Sequence, residues 1–217
     1  MRRIAAILTA ALLLLLGATP ATAAPAPLGG GSILTTAVGS YRCTVAFAAR
    51  SNTAGVLITG PGCAAPSGTQ LYSNGVLVGP VSGSTANGAV TTVTVTNTAA
   101  WQLVPWIQAG GTRVWINGSA ETPVGGSVCL LDRTVGTHCG TIVAKNQTVN
   151  YPDGTLYGLT RTNVCMEPGG GPIAFVSGSQ AQGIPVGASG SCSTGGSSFF
   201  WPVNRVLSAY GLTLVTG

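Results

Sequence analysis

Short runs of β-branched residues, separated by Gly, Pro, Asn and Ser, recur along most of this 217-residue chain and constrain its fold more than any other feature. In the clearest run, Val90 to Thr96, valine and threonine follow the two-residue period of a β-strand that buries one face. Similar runs lie at 42–48, 55–59, 112–116, 140–150, 156–165 and 172–176. Many short strands joined by turn residues predict an all-β barrel or sandwich, and the pattern does not choose between these two architectures.

One amphipathic helix is predicted near the C-terminus. Pro202 suits a first helical turn, and Gly211 supplies a helix stop. Between them, apolar residues recur at helical spacing, namely Val203, Val206, Leu207 and Tyr210. We expect this helix to pack on the chain's own β-structure rather than on a partner.

The N-terminus has the pattern of a secretory signal peptide at 1–23. Arg2 and Arg3 precede the apolar run Ile4–Leu16, and Ala21–Ala23 forms a small-residue cleavage site. The apolar run is too short for a membrane span, so we expect a secreted, extracellular protein without a membrane anchor after cleavage. The glycine-rich segment 29–32 is expected to be a flexible start of the mature chain.

Charged residues are scarce. The chain has nine basic and four acidic residues, and removal of Arg2 and Arg3 with the signal leaves seven bases and a net charge of about +3. These bases are scattered along the sequence and form no stripe that would follow a phosphate backbone. We therefore expect no nucleic-acid partner. We also expect a monomer.

Six cysteines in an exported chain predict disulfides, although six cysteines allow fifteen different pairings. A zinc site would need closely spaced pairs of ligands. No such pairs exist, and His138 is the single histidine of the sequence. We therefore predict neither a metal site nor a cofactor.

Two segments of the C-terminal half carry a family pattern, 128–140 (VCLLDRTVGTHCG) and 146–172 (NQTVNYPDGTLYGLTRTNVCMEPGGGP). The first resembles the disulfide loop, and the second the active-site strand and loop, of the streptogrisin and alpha-lytic type of chymotrypsin-fold serine proteases. The segment 197–215 is similar to the family's closing strand and helix, and Arg42–Phe47 to its first disulfide-bearing strand. The resemblance covers most of 30–217.

This resemblance implies two antiparallel six-stranded barrels, followed by the C-terminal helix, with an active-site cleft between them. We expect the first barrel at 24–110, the second at 111–200, and the helix and tail at 201–217, all in one peptidase-like domain. The resemblance also implies that the cysteines pair in sequence order, as Cys43–Cys63, Cys129–Cys139 and Cys165–Cys192.

The catalytic residues of the family have no counterparts in this chain. Where the family has E-P-G-D-S-G-G-P, Glu167-Pro168-Gly169 passes directly to Gly170-Gly171-Pro172, so the nucleophilic Ser is missing and Gly170 stands in its place. The family's His lies in T-A-G-H-C, which aligns Gly62 with the catalytic base. The family's Asp opens a D-[YW]-A-x-V strand, and the best match aligns Ala100 with it.

Two segments of the predicted cleft are expected to bind a ligand. The family's substrate-pairing S-G-G segment resembles Val186-Gly187-Ala188, in which valine cannot make the hydrogen bond that the family's Ser makes to the catalytic Asp. The other segment is Glu167-Pro168-Gly169, before the shortened loop. His138 aligns with a structural histidine of the family, and Ser177 and Ser179 align with a surface hairpin, so none of the three is expected to be catalytic.

These observations predict that the protein is not an enzyme but a secreted protease homologue that binds a peptide, a protease inhibitor or another protein in the cleft. Two alternatives stay open. One is an active serine endopeptidase, as the family resemblance implies. The other is an envelope-associated structural or carbohydrate-binding protein, to which the tryptophans Trp101, Trp106 and Trp115 would contribute.

Overall fold

The computed structural model describes residues 23–152 and 154–217, and the predicted signal peptide, apart from its last residue, lies outside them. The described residues form sixteen strands and one α-helix. The strands are β1 (Ala26–Gly30), β2 (Ile33–Thr35), β3 (Arg42–Arg50), β4 (Gly55–Thr59), β5 (Gln70–Ser73), β6 (Val76–Ser84), β7 (Thr91–Val95), β8 (Trp101–Ala109), β9 (Thr112–Trp115), β10 (Ser127–Asp132), β11 (Thr137–Tyr151), β12 (Gly154–Thr162), β13 (Pro172–Ser177), β14 (Gln180–Ser191), β15 (Gly195–Pro202) and β16 (Thr213–Leu214).

The first barrel is a ring of six strands in the order β3-β2-β5-β6-β7-β4, closed by pairing of β3 with β4. The alternating run at 90–96 forms β7, in which Val93 and Val95 are buried. A disulfide joins Cys43 on β3 to Cys63, in a short 3-10 turn that follows β4. This link holds the turn against the start of β3.

The second barrel is a closed ring in the order β10-β11-β12-β15-β14-β13. Two disulfides brace it, Cys129–Cys139 across β10 and β11 and Cys165–Cys192 between the loop before β13 and the end of β14. The predicted fold of two six-stranded barrels is thus confirmed, as is the predicted pairing of the cysteines.

The C-terminal helix α1 (Val203–Tyr210) has the predicted boundaries. It ends because Gly211 adopts the left-handed conformation (φ 59°, ψ 43°) and its N–H donates back into the last turn. Val203 and Val206 are buried in the protein's own core, as predicted. In the described part of the chain, no helix is both long and apolar enough to span a membrane.

A third sheet, in the order β1-β8-β9, was not predicted. The segment expected to be flexible forms part of it, since β1 runs parallel to β8 and Gly29 and Gly30 are buried. A Cβ on Gly30 would stand 2.7 Å from the carbonyl oxygen of Ala46, so these glycines permit close backbone contact rather than mobility.

One apolar core connects the two barrels. It contains Phe47 and Ile58 of the first barrel, Ile173 and Ile184 of the second, and Val206 of the helix. All of these side chains are almost completely excluded from solvent. Because the barrels share this core, the walls of the cleft between them are rigidly placed.

Candidate functional site

A cleft of about 440 Å³ lies between the barrels. The first barrel contributes the start of β3 and the turn at 60–62, and the second contributes Met166, the segment 170–173 and residues 185–187 of β14. Gly62 and Gly170, from different barrels, line the same cleft. Among the described residues that line it, Thr44 alone carries a hydroxyl group, and none carries an imidazole or a carboxylate.

The backbone around Gly62 leaves no space for a side chain. Gly62 directly precedes Cys63, whose disulfide to Cys43 pulls the turn against β3. A Cβ on Gly62 would stand less than 3.0 Å from the carbonyl oxygen of Arg42 and 3.3 Å from the Cβ of Cys43. Glycine at this position is therefore required by the local fold.

Gly170 lies in a tight turn in front of β13. Its N–H donates to the carbonyl oxygen of Glu167 at 3.1 Å. A Cβ on Gly170 would stand 2.7 Å from Oδ2 of Asp132, so a side chain at this position would meet a buried carboxylate.

Asp132 anchors the loop in front of β13 through a hydrogen bond from the N–H of Gly171. Its side chain is only 1% exposed. Oδ1 accepts hydrogen bonds from the N–H of Thr134 (2.7 Å), the hydroxyl of Thr134 (2.9 Å), the N–H of Val135 (3.1 Å) and the N–H of Gly171 (3.0 Å). Oδ2 is buried and has no hydrogen-bond partner among the described residues.

The ionisation of Asp132 reflects two opposing effects. Burial raises the pKa of this carboxyl, because it disfavours the charged form. The hydrogen bonds donated by Thr134, Val135 and Gly171 stabilise the charged form, and they hold the pKa below its ordinary value overall. Asp132 is therefore a buried anion beside the cleft.

Ala100 is not among the residues that line the cleft with Gly62 and Gly170. Ala100 directly precedes β8, packs on the core of the first barrel and accepts a hydrogen bond from the N–H of Ala26. The strand that begins next to the end of β4 is β7, and its first residue, Thr91, pairs with Thr59. The Thr59 hydroxyl donates to the carbonyl oxygen of Thr91 at 3.2 Å, so Thr91 lies next to the start of the 60–62 turn.

The residues predicted to bind a ligand divide into two groups. Val186 and Gly187 line the cleft, whereas Ala188, Glu167, Pro168 and Gly169 are not among its lining residues. The Glu167 side chain instead accepts a hydrogen bond from the N–H of Cys192 at 3.0 Å and so has a structural role. Val186 packs against an apolar cluster around Leu156 and Leu159, an environment that suits valine.

Sequence reasoning missed two basic residues of the cleft, Arg42 and Arg133. The sequence contains one general signal for them, which is that charged residues are rare in this chain and each one is therefore a candidate for a specific role. Two of the seven bases beyond the predicted signal peptide line this one cleft. Nothing in the linear pattern placed them together, since they lie 91 positions apart and belong to different barrels.

The other polar residues singled out from the sequence lie outside the cleft lining. His138 Nδ1 is 3.7 Å from Sγ of Cys192, and Ser177 donates to the carbonyl oxygen of Ser127 at 2.9 Å. Ser179 lies in the turn between β13 and β14. His138, Cys165 and Cys192 lie within metal-ligand distance of one another, but these two cysteines form a disulfide and offer no thiolate.

The three tryptophans have different environments. Trp101 is buried, and its indole N–H donates to the carbonyl oxygen of Leu77 at 2.8 Å, which is a core role. Trp106 and Trp115 form an edge-to-face pair with ring centroids 5.0 Å apart, and Trp115 is 49% exposed. This pair belongs to β8 and β9 of the third sheet and not to the cleft.

Comparison with known proteins gives consistent results. The chain is 44% identical over 179 residues to streptogrisin-C of Streptomyces griseus, covering 82% of this chain and 39% of the relative. It is 33% identical over 189 residues to streptogrisin-A of the same organism, covering 87% and 61%. The crystal structure of Thermobifida fusca protease A superimposes with a TM-score of 0.76 at 39% identity, over 88% of this chain and all of that one.

The chain belongs to the streptogrisin family of serine proteases. No model of a protein family matches it. This streptogrisin homologue spans well under half the length of streptogrisin-C and about three fifths of streptogrisin-A. The assignment of Gly62 and Gly170 to the family's catalytic positions stays a prediction from the motif alignment.

The prediction that the protein is not an enzyme is contradicted by these relatives. Besides streptogrisin-C, the relatives of this chain include a glutamyl endopeptidase and several serine proteases, which are 32–44% identical to it. The superimposed structure is likewise that of a protease. The family to which the chain belongs is therefore one whose named members are proteases.

Proposed function

We propose that this streptogrisin-family protein binds an extended peptide, or the exposed segment of a protease inhibitor, in the cleft between its barrels. The main support for this proposal is the unpaired edge of strand β14. Among the described residues, β14 pairs with β13 only as far as Gly183, whereas its pairing with β15 continues to Ser191. Residues 185–187 therefore line the cleft with one side of the strand unpaired.

An unpaired strand edge is suited to a peptide because main-chain groups supply the hydrogen bonds and need no particular side chain from the ligand. The carbonyl oxygen of Pro185 faces Gly60 on the opposite wall, 3.7 Å from the place that a Cβ on Gly60 would occupy. Pro185 has no N–H to donate, so a main-chain donor in this segment would come from Val186 or Gly187. The cleft volume of about 440 Å³ lies within the usual range for ligand sites, roughly 300–1,000 Å³.

The proposed site of action is outside the cell. Three disulfides in a chain of this size favour an oxidising compartment, where such bonds persist. The apolar, cationic N-terminus of the sequence supports the same proposal.

A second candidate function is serine-type peptide hydrolysis, which is favoured by the names of the relatives at 32–44% identity. It would use the same cleft, in which Thr44 carries the one hydroxyl group among the described lining residues. A peptide-bond cleavage that a serine-directed phosphonate abolishes would support it.

Peptide binding can be tested with the secreted, disulfide-bonded protein and a random library of decapeptides. We expect wild-type protein to retain a set of peptides with micromolar dissociation constants. The variant Gly60→Leu should weaken their binding by about tenfold, because it adds a large side chain between the two walls. The backbone at Gly60 (φ −80°, ψ −168°) accepts such a residue.

Gly111→Leu is the matched control. Gly111 is exposed, has no atom within 4 Å of its Cβ direction and lies outside the cleft, so binding should change by less than about twofold. Retention of no peptide by correctly folded wild-type protein would overturn the proposed binding function. Mass spectrometry of the retained peptides, with and without the phosphonate, reports hydrolysis in the same experiment.

A further inference from the structure

Two arginines, one from each barrel, line the cleft. Arg42 opens β3 and is exposed, and Arg133 follows β10 and is half-buried. The Arg133 guanidinium packs on Gly171, with Nη2 and Nε at 3.3 and 3.4 Å from the place of a Cβ there. Among the described residues, the single ion pair joins Lys145 to Glu121, so neither arginine has a carboxylate within 4.0 Å.

The nearest acidic residues do not present their charge to the cleft. Asp132 is 1% exposed, with Oδ1 occupied by four hydrogen bonds and Oδ2 directed at Gly170. The Glu167 side chain accepts from the N–H of Cys192 and is not a lining residue. Among the described residues that line the cleft, the charged ones are therefore both arginines.

A guanidinium in a recessed site favours a carboxylate, because its planar set of donors can form two parallel hydrogen bonds to the two carboxylate oxygens. A basic ligand side chain would be repelled by both arginines, and a neutral one would leave their charges without a partner. The two walls of the cleft thus favour the same ligand chemistry.

We propose that the occupant of this cleft is an extended peptide that carries an acidic side chain, held between Arg42 and Arg133. This inference rests on the proposed peptide binding and adds the chemical class of the ligand. Main-chain pairing with residues 185–187 of β14 positions the peptide, and the two guanidiniums select aspartate or glutamate. Arg42 and Arg133 are then residues that determine specificity and not catalytic residues.

The test uses a random library of decapeptides with amidated C-termini, so that side-chain carboxylates are the sole carboxylates present. We expect Asp and Glu to be enriched severalfold among peptides retained by wild-type protein. A retained peptide should bind about tenfold more weakly when its acidic residue is replaced by the matching amide. Its affinity should also fall as NaCl is raised from 0.05 to 0.5 M, since salt screens exposed charges.

The variants Arg42→Gln and Arg133→Gln should each weaken binding of the acidic peptide by about fivefold and leave its amide analogue within about twofold. Arg50→Gln is the matched control, because Arg50 lies at the opposite end of the same strand β3, is exposed and lies outside the cleft lining. It removes the same charge and should leave both affinities unchanged.

The outcomes separate this inference from the proposed function. Retained peptides without acidic enrichment, or with equal affinity for acid and amide forms, overturn the acidic preference and leave peptide binding in place. If peptides bind only when their C-termini are free, the arginines bind the terminal carboxylate. That result also overturns the proposal of a side-chain carboxylate. Retention of no peptide at all overturns both.

Discussion

Replacement of Gly62 by alanine should lower the free energy of unfolding by about 3 kcal/mol, at the upper end of the usual cost of overpacking. The added methyl group would stand less than 3.0 Å from the carbonyl oxygen of Arg42, which is backbone and cannot rotate away. Nor can the turn move outward freely, because the next residue, Cys63, is tied by its disulfide to Cys43. The clash must therefore distort β3 or the turn itself.

Gly60→Ala is the matched control for this prediction. Gly60 lies two residues earlier in the same turn, and a Cβ there would make ordinary contacts at 3.7 Å. Its substitution should change the unfolding free energy by less than about 1 kcal/mol. In thermal unfolding, Gly62→Ala should lower Tm by roughly 6–12 °C for a protein of this size. Equal Tm values for the two variants would show that the turn at 60–63 is not confined as described.

The fold was largely predictable because its signals are local or belong to a family pattern. The alternation at 90–96 encodes β7 directly, and the spacing of Val203, Val206 and Tyr210 encodes the helix. The third sheet escaped prediction because β1 is rich in glycine, which signals mobility in sequence but here permits close packing on β8 and β3. Backbone contact of this kind depends on tertiary partners that no local pattern records.

The candidate site was less predictable, for two physical reasons. A weak motif gives little guidance, as at Ala100, which precedes β8 and is not a lining residue of the cleft. The first residue of the strand beside the end of β4 is Thr91. In addition, charges from separate barrels meet only in the folded protein, as Arg42 and Arg133 do. The strong motif around Glu167–Pro172 did locate one wall of the cleft, since its contiguous residues 170–172 line it. The motif did not indicate that the Glu167 side chain accepts a hydrogen bond from a backbone N–H.

Replacement of Asp132 by alanine should cost about 3–5 kcal/mol of unfolding free energy, because it removes a buried, charged acceptor that four donors share. The N–H groups of Thr134 and Val135 would lose this acceptor, and the N–H of Gly171 would keep only the Thr134 hydroxyl, at 3.1 Å. The loop in front of β13 would thereby lose its anchor. Asp132→Asn keeps one acceptor oxygen without the charge and should cost about 1–3 kcal/mol. Glu121→Gln, which disrupts the exposed pair with Lys145, is the control and should cost less than about 1 kcal/mol.

The effect of pH distinguishes the charge of Asp132 from its packing. Its pKa is lowered in the folded protein, so the charged carboxylate contributes stability at pH values above the ordinary value for aspartate, about 3.9. That contribution is lost as the pH falls through the lower folded pKa. In urea titrations, the gap in unfolding free energy between wild type and Asp132→Asn should be full at pH 7 and shrink toward pH 2. A gap that stays constant over this range would show that the four hydrogen bonds do not depend on the carboxylate charge.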